Sequence, residues 1–73
     1  MSSVIEKLEY AQSRCSEFFA DVIIDPLRAS IIVNIEEQYF LEIAKMLLSS
    51  GFYCVHITEF STSITACFIL IKL

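Results

Sequence analysis

The pattern that most limits how this chain folds is an apolar stripe near its start. Met1, Val4, Leu8, Ala11, Cys15, Phe18 and Val22 recur at alternating three- and four-residue spacings, the repeat of a helix that buries one narrow seam. Ser3-Val4-Ile5-Glu6 reads as a capping box, in which hydroxyl and carboxylate each satisfy a backbone N–H left open at a helix start. A helix is therefore predicted from about Ser3. Its end is predicted between Ala20 and Ile24, because Val22-Ile23-Ile24 is β-branched and Asp25-Pro26 forces the chain out of helical geometry. A second reading makes Asp21–Ile24 a strand that forms a hairpin across the following turn. The stripe has two readings as well. It packs on the chain's own sheet, as amphipathic helices do, or it forms a helix–helix seam with a second copy, which small Ala11 and Cys15 would let approach closely.

Asp25-Pro26-Leu27-Arg28 places Asp and Pro at the first two positions of a type I turn. A strand is predicted over Ser30–Ile35, with Ile31, Val33 and Ile35 on one face and Ser30, Ile32 and Asn34 on the other. A second helix runs from about Glu36 to Ser50, its acidic start suiting the helix dipole and Gly51 supplying the left-handed stop. Gln38, Glu42, Lys45 and Ser49 make a narrow polar strip on this helix, while apolar residues from Tyr39 to Leu48 cover more than half its circumference. That arc is wider than one sheet requires.

The remainder reads as a hairpin, Phe52–Glu59 and Ile64–Leu73, joined through Phe60-Ser61-Thr62-Ser63. Pairing Glu59 with Ile64 sets Tyr53 against Leu70, Val55 against Phe68 and Ile57 against Ala66 on one face. The other face then pairs Thr58 with Thr65, His56 with Cys67, Cys54 with Ile69 and Phe52 with Ile71. Both faces need cover, which one helix on each side or a neighbouring subunit would provide. The predicted fold is a single α+β domain over residues 1–73, in the order helix–strand–helix–hairpin, with a three-stranded sheet. Ser30–Ile35 and the strand from Phe52 are parallel if adjacent, because a helix connects them.

Composition explains why assembly is expected. The chain is 56% hydrophobic over 73 residues, with mean hydropathy +0.67. A domain this short buries only about 60% of its unfolded surface, so it holds more apolar side chains than one small core needs. The charge-free runs Met46–Thr58 and Phe60–Ile71 are too short for a membrane span, and the N-terminus carries no signal-peptide pattern. A cytoplasmic protein is expected, the host cytoplasm if the source is viral. Cys15, Cys54 and Cys67 form no CxxC and cannot all pair within one chain, which fits free thiols in a reducing compartment. Five basic residues stand against nine acidic ones, for a net charge of −4. With no basic stripe, direct nucleic-acid binding is not expected.

Constellations that carry chemistry are sparse. His56 is the single histidine, and the best metal cluster available is Cys54, His56 and Cys67. That trio lacks the fourth ligand of a structural zinc site and the orienting third group of a thiolate nucleophile, so a half-buried strand histidine between apolar thiols is the expectation. Asp21 and Asp25 would share a helix face only if the first helix reached them, and two carboxylates hold Mg²⁺ weakly. No catalytic residue, metal or cofactor is expected, and the chain is read as a non-enzyme. Glu6, Glu9, Glu17 and Asp21 are expected to line the outer side of the first helix, a face that is merely solvated or meets a basic protein partner. Thr58, Ser61, Thr62, Ser63 and Thr65 cluster around the hairpin tip; they are turn chemistry, or, with tips converging in an oligomer, a site for a small polar ligand or nucleotide.

The strand Ile31–Ile35, the following helix, the run Ser49-Ser50-Gly51-Phe52-Tyr53-Cys54-Val55-His56-Ile57 and the closing strand Cys67–Ile71 resemble the layout of many small tailed-phage accessory proteins. The resemblance covers about half the chain, and this sequence departs from it by ending in Lys72-Leu73, where those proteins often close with a Trp. It implies a viral accessory protein that binds or blocks a host factor. The functional expectation is a homo-oligomeric interaction protein that inhibits a protein partner stoichiometrically, its subunit interface formed by Val4, Leu8, Ala11, Cys15, Phe18, Val22, Phe52, Ile69 and Ile71. The alternative is an oligomer that sequesters a small ligand at a subunit interface, with Tyr10, Tyr39 and Tyr53 among its aromatics.

Overall fold

The computed structural model describes residues 3–71. Its first element, helix α1 (Val4–Ser16), begins where the capping signal places it: Ser3 Oγ accepts from the Glu6 backbone N–H at 3.2 Å and donates to the Glu6 carboxylate at 3.2 Å. Helix α1 stops at Ser16, short of the predicted Ala20–Ile24. Phe19 takes the left-handed φ of 61°, which breaks the helix, and Asp21–Asp25 form strand β1. The hairpin reading of this segment is the one the structure adopts. Strand formation wins because Val22, Ile23 and Ile24 gain a ladder against strand β2 (Ser30–Glu36), and β-branched side chains suit a pleated surface better than a helix.

The β1–β2 turn follows its Asp-Pro signature. Asp25 Oδ1 accepts from Leu27 N–H at 3.1 Å, and Arg28 N–H donates to the Asp25 carbonyl at 3.3 Å. Helix α2 (Glu37–Ser49) follows β2 directly and ends before Gly51, whose φ of 94° turns the chain into β3 (Phe52–Glu59) and then β4 (Ser63–Leu70). The result is an α+β fold of order αββαββ, one strand richer than the predicted arrangement. Among the described residues no helix is long and apolar enough to cross a membrane.

The sheet order is β1-β2-β4-β3 and every neighbouring pair is antiparallel. Strands β2 and β3 therefore run in the same direction, as a helical crossover requires, but β4 lies between them instead of their pairing directly.

The predicted hairpin register holds near the turn and fails further along. Glu59 pairs with Ile64, Thr58 with Thr65, Ile57 with Ala66 and His56 with Cys67, but Val55 is then skipped as a bulge. Beyond it Cys54 pairs with Phe68, Tyr53 with Ile69 and Phe52 with Leu70. One extra residue exchanges the faces of everything that follows it. Phe52 and Cys54 consequently turn towards the core and Tyr53 away from it, the reverse of the predicted arrangement.

Both helices cover the same sheet face. Leu8, Ala11 and Cys15 from α1 and Ile43 and Leu47 from α2 join Ile31, Val33, Ile35, Phe52, Ile64, Ala66 and Phe68 of the sheet in one buried cluster. The stripe therefore packs on the chain's own sheet. Val4, Phe18 and Val22 lie partly buried against this cluster, with the Phe18 ring 6.0 Å from that of Tyr39. Met1 lies outside the described residues. The expectation of one helix on each side of the sheet is corrected, and the second face has no helix over it.

Candidate functional site

The uncovered face can be assembled from the strand registers alone. One transverse row crosses all four strands as Asp21, Asn34, Thr65 and Thr58; the next as Ile23, Ile32, Cys67 and His56; a third as Asp25, Ser30, Ile69 and Tyr53. Glu36 and Ser63 pair beyond the first row. A solvated sheet face ordinarily alternates polar side chains outward. Here Ile23 is 66% exposed, Ile32 40% and Tyr53 56%, and the central strands carry no charge from Ser30 to Asn34 or from Thr65 to Ile69 on this side.

Its polar members largely satisfy one another. The Asn34 side-chain amide donates to Thr65 Oγ1 at 2.7 Å, and His56 Nε2 lies 3.1 Å from Thr58 Oγ1. The face thus has an uncharged middle and acidic groups at its margins, Asp21 and Asp25 on β1 and Glu36 at the end of β2. Charge depleted from the centre and retained at the rim is the composition of a protein–protein contact surface.

The predicted interface residues fall into three groups, one of them Val4, Phe18 and Val22, which lie partly buried against the core. Leu8, Ala11, Cys15 and Phe52 are at most 3% exposed within the single chain, so they are corrected from interface to core. Burial pushes the Cys15 thiol up to about 11, as expected of a thiol that stays neutral in an apolar setting. Ile69 does lie on the open face, and Ile71, just past β4, is 59% exposed. Ile23, Ile32, Tyr53 and Cys67 escaped the sequence reading as a set. The alternation in Ser30–Ile35 was the signal for Ile32; Tyr53 was hidden by the bulge.

The other candidate groups disperse. Cys54 lies on the helix-covered side of β3, its thiol 3.8 Å from the His56 carbonyl, whereas His56 and Cys67 pair on the open side. Among the described residues no three His, Cys, Asp or Glu side chains are placed to hold a metal. Asp21 and Asp25 stand at opposite ends of β1 and do not share a helix. Asp21 therefore leaves the acidic helix group, while Glu6, Glu9 and Glu17 remain exposed on or just after α1. Glu17 pairs with Arg14 at 3.4 Å, and Arg14 also donates to the Tyr10 hydroxyl at 3.1 Å; these neighbours raise the guanidinium above its ordinary value. Thr58 and Thr65 belong to the sheet row, Ser61 and Thr62 are exposed at the β3–β4 turn, and the Thr62 carbonyl accepts from the Glu37 N–H at 3.1 Å.

No protein-family model, no curated protein and no solved structure matches this chain.

Proposed function

We propose that this is a small non-enzymatic interaction protein, assembled from copies of itself, that acts by stoichiometric binding and occlusion of a protein partner. The observation that supports this reading is the uncovered sheet face, with an uncharged and largely apolar middle bordered by acids. Solvation gives no reason for Ile23, Ile32, Ile69 and Tyr53 to share one side of a sheet. The exposed carboxylates of Glu6, Glu9 and Glu17 lie on the separate surface of α1. They suit a basic patch on the partner, which they would steer towards the complex. The phage-like layout fits such a role against a host factor.

Two measurements test the reading. Native mass spectrometry should show more than one copy per particle, and a stable monomer at micromolar concentration would defeat the assembly half. Affinity capture should then enrich a protein at fixed stoichiometry with the wild type and with Lys45→Glu, but not with a Glu9→Lys/Glu17→Lys variant of unchanged assembly. Equal enrichment by that double variant contradicts the proposed acidic contact.

A further inference from the structure

Resting on the self-assembly half of that reading, we infer that the open sheet face is the self-association surface and that two copies stack face to face about a twofold axis parallel to the strands. Side chains of different chemistry are distributed unevenly across the sheet. The carboxylates on this face lie on β1 and at the end of β2, and the hydroxyls that could receive them lie on β3 and β4. The carboxylates thus occupy one half of the surface and the hydroxyls of Tyr53, Thr58, Ser63 and Thr65 the other, with Asn34 and the buried Ser30 on β2 between them.

A face-to-face dimer with twofold symmetry has two simple axes in the interface plane. Rotation about the axis parallel to the strands lays β1 of one copy over β3 of the other and β2 over β4, keeping each transverse row at its own level. Asp25 then faces Tyr53 of the second copy, Asp21 faces Thr58, Glu36 faces Ser63, and Ile32 covers Cys67. Each acid on the face meets a hydroxyl, within the roughly 30° offset of aligned sheets. Rotation about the axis perpendicular to the strands lays β1 on β1 and inverts the rows, so that Asp21 meets Asp25 of the second copy. That arrangement gives no carboxylate a hydroxyl and sets Asp21 against an Asp25 that already pairs with Arg28 at 3.8 Å, so the matching of acids to hydroxyls selects the first axis.

The size of the face sets the strength. Four strands about 4.8 Å apart and about six residues long at ~3.4 Å each give a patch of roughly 400 Å² per copy in projection, about 800 Å² for the pair and below the ~1,200 Å² of standard interfaces, so the contact is proposed as a weak, reversible one.

Sedimentation equilibrium across micromolar concentrations, with far-UV circular dichroism on every variant, decides the matter. The wild type is expected to dimerise reversibly. Ile32→Lys, which puts an ammonium at the centre of the contact in both copies, should weaken the dimer by roughly 100-fold or more with unchanged secondary structure. Ile32→Thr keeps the β-branched backbone preference and should weaken it less; it decides the case if the lysine variant fails to fold. Leu41→Lys, on the outer surface of α2, should leave the dimer intact. Asp25→Lys should weaken it, because the Tyr53 hydroxyl of the second copy loses its acceptor. A dimer that survives both Ile32 variants overturns this inference but spares self-assembly, since the copies then meet elsewhere, as by pairing of the β3 edges. A wild type that stays monomeric overturns both. Tightening by Asp25→Lys overturns the choice of axis.

Discussion

Replacing Leu8 by alanine separates two uses of the N-terminal stripe that the sequence leaves open. Leu8 is 0% exposed and packs with Ala11 and Cys15 of α1 against the apolar face of the sheet. If it belongs to this core, truncation should destabilise the fold itself. Removing a buried leucine side chain costs about 2.7–5 kcal/mol, depending on how far the site collapses. A 73-residue domain has only roughly 4–11 kcal/mol in total, so the variant would lose about a quarter of its stability or more. With a urea slope near 1 kcal/mol per M for so small a chain, the midpoint should fall by about 3–5 M. Urea unfolding followed by circular dichroism measures this, with Leu41→Ala as an exposed control. The reasoning is refuted if Leu8→Ala leaves the midpoint within about 0.5 M of wild type and merely dissociates an oligomer, the behaviour of a seam between copies.

Three further outcomes follow from local features. Deleting Val55 removes the residue that the β3–β4 ladder skips, so the variant should fold with a loss of about 1 kcal/mol, whereas deleting Ile57 from the regular ladder should cost several times more; equal losses on thermal melting would contradict the bulge. Phe19→Gly relieves a left-handed φ of 61° at a side chain that is 87% exposed, and should raise stability by about 1 kcal/mol in a urea titration; a decrease would show that the ring makes a stabilising contact. Because the Cys15 thiol is pushed up to about 11 from 9.0, the unfolded chain releases this proton before the folded one. Its contribution is therefore complete below about pH 9 and is lost as pH rises towards 11, by about 2–3 kcal/mol. Cys15→Ala should remove that part of the alkaline loss, and an unchanged slope between wild type and variant over this range would contradict it.

Much of the fold is readable where a residue has one dominant conformational consequence. Ser3 and Glu6 mark the start of α1, Asp25-Pro26 the first turn and Gly51 the end of α2, because each satisfies or forbids a specific backbone state. The end of α1 is not readable in the same way. Phe18-Phe19-Ala20 contains neither Gly nor Pro, and Phe19 enters the left-handed region although a side chain disfavours it there. Val22 compounds the difficulty: it continues the helical spacing of the stripe and faces the same core, but from a strand. The Val55 bulge also lacks a glycine to announce it, and one extra residue reverses the faces of Phe52, Tyr53 and Cys54. That reversal moves Phe52 from the expected interface into the core and brings Tyr53 onto the open face. Half of the candidate surface was therefore visible in the alternation of Ser30, Ile32 and Asn34. The other half depended on a register shift that only the tertiary packing selects.

Two copies are expected to meet through this face about an axis parallel to the strands. Isotope-filtered nuclear Overhauser spectroscopy on a mixture of labelled and unlabelled protein tests it most directly. Intermolecular cross-peaks are expected from the Ile32 methyls to the Cys67 β-protons and from the Tyr53 ring to the Asp25 β-protons. Cross-peaks joining Ile23 to Ile23, or intermolecular contacts confined to the helices, would contradict it.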